Sequence, residues 1–255
     1  MQLSFDISLA EQYKSRSQAI RVMTESWVRN TIFCPGCGQD ISEYPNNNPV
    51  GDFFCSRCSE DYELKSKSGK FTGKVVDGAY RTMIQRLESD DNPNFFLLNY
   101  NPDVNEVTDL AVIPRHFFTP KIIERRKPLS VGADRANWVG CNILIRDIPN
   151  SGKIFYVRGG QVNTRKKVMD DWQRTLFLRE TGKPDLRGWT LDVMKCIDDI
   201  GKSVFSLDDV YAFEPVLSKR HVNNRHIRDK IRQQLQVLRD GGYLEFVGRG
   251  TYRLI

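Results

Sequence analysis

The sequence predicts an α/β chain: a mixed sheet flanked by helices, carrying a cysteine-rich insertion, followed by a smaller domain of helices and a hairpin. Three observations carry this reading. Phe95-Phe96-Leu97-Leu98 and Leu110-Ala111-Val112-Ile113 are short, continuous apolar runs, the signature of strands buried on both faces. Segments with helical apolar spacing alternate with them, as expected when helices cover a sheet. From about residue 190 the pattern changes to three helical segments and then two strands split by Gly248-Arg249-Gly250. That is the order of a winged helix, with the third helix as recognition helix.

In chain order, Leu9, Tyr13, Ile20, Met23 and Trp27 recur at helical spacing, so a helix is expected over 8–30, packed on the sheet. Glu25, near its carboxyl end, reads as a surface charge, with a place in a metal site as the alternative. Residues 39–50, with Pro45, Pro49 and three successive asparagines, read as a loop. Aromatic and apolar residues at 53, 54, 62 and 64 predict two short strands over 51–54 and 61–66. Strand alternation puts Glu63 and Lys65 on one face and Leu64 on the other. Residues 66–70 form a basic turn, and a helix follows over about 77–89 through Ala79, Tyr80, Met83, Ile84 and Leu87. Residues 115–140 are basic and turn-rich, with Arg115, Lys121, Arg125, Arg126, Lys127 and Arg135 against Glu124 and Asp134, which suits a DNA-facing loop. Position alone favours core packing for Trp138. A strand over 154–157 and a helix over 164–178 close this part, and Gly182 and Pro184 mark a linker at 179–187. The division expected is 1–182 and 183–255.

In the second domain, helices are expected over about 190–200, from near Ser206, and over about 224–239. Ser206 can cap its helix, and Asp208 and Asp209 suit that helix's positive end. Ile227, Ile231, Leu235 and Leu238 form the buried stripe of the third helix, and Gly241-Gly242 ends it. Lys219, Arg220, Arg225, Arg228, Lys230 and Arg232 cluster at its start with only Asp229 opposing them. Asn223, Asn224 and His226 can bond base edges, and Arg249 sits at the wing tip. DNA is the partner this pattern indicates, and the formal charge of +6 agrees with it.

The chemistry is concentrated at residues 34–65. Cys34, Cys37, Cys55 and Cys58 make two CxxC pairs at zinc-ribbon spacing, each aiming two sulfurs at one point around a structural Zn²⁺. Cys141 and Cys196 have no partner at ligand spacing and are expected to be buried, inert thiols. Threaded through the cysteines are Asp52, Glu63 and Lys65, the Asp…Glu-x-Lys form of the metal-dependent nuclease core PD-(D/E)xK. Gly51 stands where that motif has proline. No basic amino-terminal region with an apolar core and no run long enough to span a bilayer is evident, so a cytoplasmic protein without a membrane partner is expected. There thiols stay reduced, which favours metal over disulfides.

The chain from Ser17 onward resembles the DpnI-type restriction endonucleases, which cut GATC when its adenine carries an N6-methyl group. The matching runs are Cys34-Pro35-x-Cys37-Gly38, Asp52-Phe53-x-Cys55-x-x-Cys58-Ser59-Glu60, Glu63-Leu64-Lys65-Ser66-Lys67 and Asp77-Gly78-Ala79-Tyr80, continued by Asn92-Pro93-Asn94-Phe95-Phe96, Gly140-Cys141-Asn142-Ile143 and Lys230 to Gln236. The resemblance implies that Asp52, Glu63 and the carbonyl of Leu64 hold Mg²⁺. It implies that Lys65 orients or deprotonates the attacking water and that a monomer reads methylated GATC with both domains. It makes Trp138 a candidate for the methyl groups, which need an apolar partner in the major groove. The rival readings are a zinc-containing winged-helix regulator without catalysis and a repair or structure-selective nuclease.

Overall fold

The computed structural model describes residues 1–255 except 46, 47, 49, 50, 90 and 181–183, and describes 184–186 by backbone alone. The first element, α1 (Arg16–Thr31), is shorter than its apolar pattern. Leu9 instead lies in a separate 3₁₀ turn, Ile7–Ala10, held by Asp6 accepting from the backbone of Ser8. The chain continues through β1 (Ser42–Glu43), β2 (Phe53–Phe54) and β3 (Asp61–Ser68), then β4 (Val75–Ala79) and α2 (Tyr80–Glu88). Next come β5 (Asn94–Asn101), β6 (Glu106–Ile113), β7 (Ile123–Arg125), β8 (Gly140–Ile143), β9 (Ile154–Arg158) and β10 (Gln161–Val162). After α3 (Arg165–Gln173) and α4 (Phe177–Glu180), the carboxyl-terminal part comprises α5 (Pro184–Ile200), β11 (Val204–Ser206), α6 (Leu207–Tyr211), α7 (Glu214–Arg220), α8 (Ile227–Asp240), β12 (Leu244–Gly248) and β13 (Thr251–Leu254).

The main sheet runs β1-β2-β3-β5-β6-β9-β10, with β3 and β5 parallel and the other neighbours antiparallel. Seven of the eight residues of β5 are buried, as its continuous apolar run requires. On one face Tyr62, Phe96, Leu98 and Tyr156 pack against α1, α3 and the cysteine turns. On the other face Phe95 and Leu97 meet α2 and a second, three-stranded sheet of order β4-β8-β7. That second sheet is absent from the sequence expectation. Val75 to Asp77 pair with β8 instead of starting a helix, so α2 begins at Tyr80 and not at 77. Two further differences are small. The expected loop at 39–50 contains the two-residue β1, while 46, 47, 49 and 50 lie outside the described residues. The strand through Lys65 extends to Ser68, so the basic turn starts at Gly69, in the left-handed region at φ 67°.

The carboxyl-terminal part has the expected helices and hairpin, with details the pattern did not carry. Its first helix begins at Pro184, within the expected linker, whose residues 181–183 lie outside those described. The helix begun at Ser206 is closed by a reciprocal capping box with Asp209 and then breaks before α7. A third strand, β11, joins the hairpin in the order β11-β13-β12. Ile227, Ile231, Leu235 and Leu238 are all buried. The apolar core does not stop between the two parts. Phe117, Phe118 and Ile122 share one cluster with Trp189, Val193 and Ile197 of α5. Within the carboxyl-terminal part buried Asp192 takes Arg220 Nε at 3.2 Å and His221 Nε2 at 2.7 Å, and Lys121 Nζ reaches across the junction to lie 2.9 Å from His221 Nδ1. Gly241 meets α4 there: a Cβ on it would fall 2.4 Å from the Phe177 ring.

Candidate active site and metal centre

The two CxxC segments fold as two tight turns. Cys34 N–H donates to Gln39 O and Gly38 N–H to Cys34 O, with Gly38 at φ 75°. The second turn repeats this, with Cys55 N–H on Glu60 O and Ser59 N–H on Cys55 O. The four sulfurs converge within 4.8 Å of one another, with Cys34 Sγ 3.3 Å from Cys58 Sγ and Cys37 Sγ 3.5 Å from Cys55 Sγ. At Cys55 burial is outweighed by hydrogen bonds from the backbone of Cys58 and Arg57, which hold it below the ordinary thiol value. Burial pushes Cys34 up to about 11, and burial with the neighbouring thiols raises Cys58 as well. Four soft donors at one point fit a tetrahedral Zn²⁺, whose charge removes that penalty by binding the thiolates. Tyr62 Oη donates to Cys34 Sγ at 3.1 Å from the opposite side. Cys141 and Cys196 are buried elsewhere, and burial lifts each thiol to about 12.

The second cysteine turn is also the hairpin turn between β2 and β3. Phe54 pairs with Asp61 and Phe53 with Tyr62, so residues 55–60 are the loop joining the strand that follows Asp52 to the strand of Glu63 and Lys65. The four-cysteine turn therefore sets the spacing of the three. Asp52 is fixed twice: its N–H donates to Tyr62 O at 2.9 Å and its Oδ2 accepts from Leu64 N–H at 2.7 Å. Gly51 is squeezed against the same carbonyl, and a Cβ there would stand 2.8 Å from Tyr62 O. Glu60, next to the turn, is occupied structurally. Its carboxylate accepts from Asn94 Nδ2 at 2.9 Å and from Arg179 at 2.6 Å.

Glu63 and Lys65 share the face that carries Phe95, whose ring centroid is 5.9 Å from Lys65 Nζ. Lys65 Nζ lies 2.5 Å from Glu63 Oε1 and 2.6 Å from Asp77 Oδ1. Burial pushes the Lys65 ammonium down, but the two carboxylates outweigh it and hold Lys65 above its ordinary value. Burial raises Glu63, as do Asp77 and Asp52, against the opposing effect of Lys65. Asp77 lies in one of the runs that carry the family resemblance, but nothing in local spacing links β4 to Lys65. Glu25 is a second departure from expectation. It is not a surface charge: its side chain is 14% exposed and paired with Arg21 at 2.7 Å. Glu25 lines a cavity of about 170 Å³ with Glu43, Tyr44 and Asp52. Burial raises its carboxyl, with Arg21 acting against this.

The residues expected to meet DNA fall in two places. Trp138 is half-buried and outside the core. Its ring lies over Gly140, with Arg135 5.1 Å from the ring centroid. It walls a cleft of about 650 Å³ with Tyr80, Arg81, Ile84, Gln85 and Arg125. At the start of α8, Asn223, Arg225, His226, Arg228 and Arg232 are exposed, as is Arg249 between β12 and β13. Arg228 is engaged with Glu214 at 2.7 Å, and both Arg228 and Arg232 lie over the Tyr211 ring. Asn224 Oδ1 accepts from His226 N–H at 2.7 Å, which uses one of its two lone pairs and leaves its amide group for a base. Arg220, grouped with this cluster by sequence, is turned inward to Asp192.

These elements define a class: a mixed α/β core with helices on both faces, a four-cysteine centre built into one hairpin, and a carboxyl-terminal helix-turn-helix domain. The chain matches the DpnI family, the Dam-replacing family, over residues 1–181 and the DpnI_C Dam-replacing HTH domain over residues 185–254. It belongs to the Dam-replacing DpnI family, and so to the methyl-directed restriction endonucleases, nucleases acting on methylated DNA. Among the described residues no helix is long and apolar enough to cross a membrane.

Proposed function

We propose that the chain is a Mg²⁺-dependent type II endonuclease that hydrolyses duplex DNA at GATC carrying N6-methyladenine. The observation that carries this is the meeting of Asp52, Glu63 and Lys65 on one zinc-turn hairpin in a chain of this family. Asp52, Glu63 and the carbonyl of Leu64 are the residues that hold Mg²⁺. They offer the hard oxygen donors it takes, on the hairpin where Asp52 Oδ2 accepts from Leu64 N–H. When bound, the metal neutralises phosphate charge and lowers the pKa of its water. Lys65, standing between the carboxylates of Glu63 and Asp77, orients or deprotonates the attacking water and balances charge on the phosphate.

Zn²⁺ on Cys34, Cys37, Cys55 and Cys58 is structural in this reading and sets the position of Asp52. The domains divide at 182/183. Arg225, Arg228, Arg232 and Arg249 meet phosphates, while Asn223, Asn224 and His226 reach base edges. Trp138 supplies the apolar surface for the adenine methyls, which its half-buried ring over a groove supports. The enzyme acts as a cytoplasmic monomer. Digesting one plasmid, prepared with and without adenine methylation, in Mg²⁺ and in chelator tests the whole reading. Cleavage of the methylated plasmid at GATC in Mg²⁺ alone is expected. Cutting of both plasmids points to a repair-type nuclease, and binding without cutting to a regulator.

A further inference from the structure

Lys65 is held by one carboxylate of its own strand and by one from outside the catalytic hairpin. Asp77 is on β4, in the second sheet, and its side chain is 9% exposed. Its strand pairs with β8, Asp77 opposite Cys141 and Ala79 opposite Gly140, with a bulge between them. Gly140 is the residue under the Trp138 ring. The anchor of Lys65 thus sits on the strand pair that also builds the Trp138 cleft. Without metal, the ammonium is shared between Glu63 and Asp77.

We propose that Asp77 is a positioning residue that retains Lys65 when Glu63 turns its charge to the metal, and so keeps Lys65 from competing with the metal for Glu63. The proposal rests on the catalytic reading above. Binding of a divalent cation by Asp52 and Glu63 withdraws Glu63 from its ion pair with Lys65. A buried ammonium left without a carboxylate is costly, so in the absence of Asp77 Lys65 would stay on Glu63 and oppose metal entry. With Asp77 present the ammonium keeps one anionic partner throughout. It therefore stays beside the reacting phosphate.

The test uses the full chain with D77N, D77A, D77E, K65A, D52A and the D77N/K65A double variant, and Mn²⁺ as probe. Mn²⁺ affinity is measured by calorimetry on the DNA-free protein, and cleavage of methylated GATC duplex in single turnovers. D77N should weaken Mn²⁺ about tenfold and slow cleavage about a hundredfold through misplacement of Lys65, with DNA affinity unchanged. D77E, which keeps the charge, should recover most of both. In the K65A background D77N should change Mn²⁺ affinity by less than about twofold, because a residue that acts through another has no effect once that other is gone. D77N binding Mn²⁺ like the wild type, or weakening it equally with and without Lys65, overturns the proposal. An unfolded D77N beside a folded, wild-type-like D77A overturns it as well. D52A distinguishes the two failures: if D52A still cleaves, it is the catalytic reading that has failed and not the role of Asp77.

Discussion

Gly51→Ala is a one-methyl probe of how the hairpin holds Asp52. The added Cβ would lie 2.8 Å from the carbonyl oxygen of Tyr62 and 3.3 Å from its carbon, both backbone atoms. Ordinary carbon contacts begin near about 3.5 Å, so the strand edge must yield by roughly 0.7 Å. The same carbonyl accepts from Asp52 N–H at 2.9 Å, and Asp52 Oδ2 is the acceptor for Leu64, so the displacement is delivered to the carboxylate itself. Overpacking of this kind costs about 1–3 kcal/mol. A misplacement approaching 1 Å at a reacting centre costs on the order of 10²-fold in rate. We therefore expect Gly51→Ala to fold with a lowered melting temperature and to cleave methylated plasmid roughly ten- to a hundredfold more slowly in single turnovers. Its DNA affinity should stay at the wild-type level, since phosphate contacts elsewhere carry most of it. Gly51→Pro brings the same Cβ and should do no better, although proline is the residue named in the motif. A Gly51→Ala enzyme cutting at the wild-type rate would refute the claim that this close approach positions Asp52.

Metal analysis of the purified chain should find about one zinc, and Cys34→Ser should lose it together with cleavage; a folded, active and zinc-free protein contradicts the structural role. Arg225→Ala, at an exposed position beside the start of α8, should weaken binding to methylated and plain duplexes alike and lower the salt slope by about one; an unchanged slope removes it from the DNA surface. His116 is buried against Thr175 at 3.0 Å, and burial with Arg179, Arg187 and Arg115 holds it well below the ordinary imidazole value. A depressed histidine contributes stability that is complete above its unfolded value of about 6.5 and is lost as pH falls toward the folded one. Melting temperature should accordingly drop below about pH 6.5, and His116→Gln should flatten that dependence; a pH profile identical in the two proteins excludes His116 as its source.

The core between the two parts changes one expectation about experiments. A linker at 179–187 suggests that residues 183–255 would fold alone and read DNA alone. In the structure Trp189, Val193 and Ile197 are buried against Phe117, Phe118 and Ile122, and a fragment would expose that face to water. Substitutions in the full chain are therefore the cleaner probes of the winged helix.

What the sequence determined by itself was what local physics determines. The four cysteines declare a soft tetrahedral site because ligand spacing is a short-range property. The stripe from Ile227 to Leu238 declares a buried helix face because its period matches the helix, and Ser206 declares a helix start. Alternation placed Glu63 and Lys65 on one face of a strand. Apolar pattern reports that a face is buried but not what covers it, and there tertiary structure decided. Glu25 looked like a surface charge because only the packing of α1 against the sheet brings it to the Asp52 cavity. Trp138 looked like a core residue because a large aromatic usually is, and only the pairing of β8 with β4 shows its ring lying over Gly140 at a groove. Asp77 sits twelve residues beyond Lys65 in a run that reads as a helix start, and it reaches the ammonium because β4 pairs with a strand more than sixty residues later. Contacts between elements distant in the chain depend on how sheets stack and helices dock, which no window of the sequence contains.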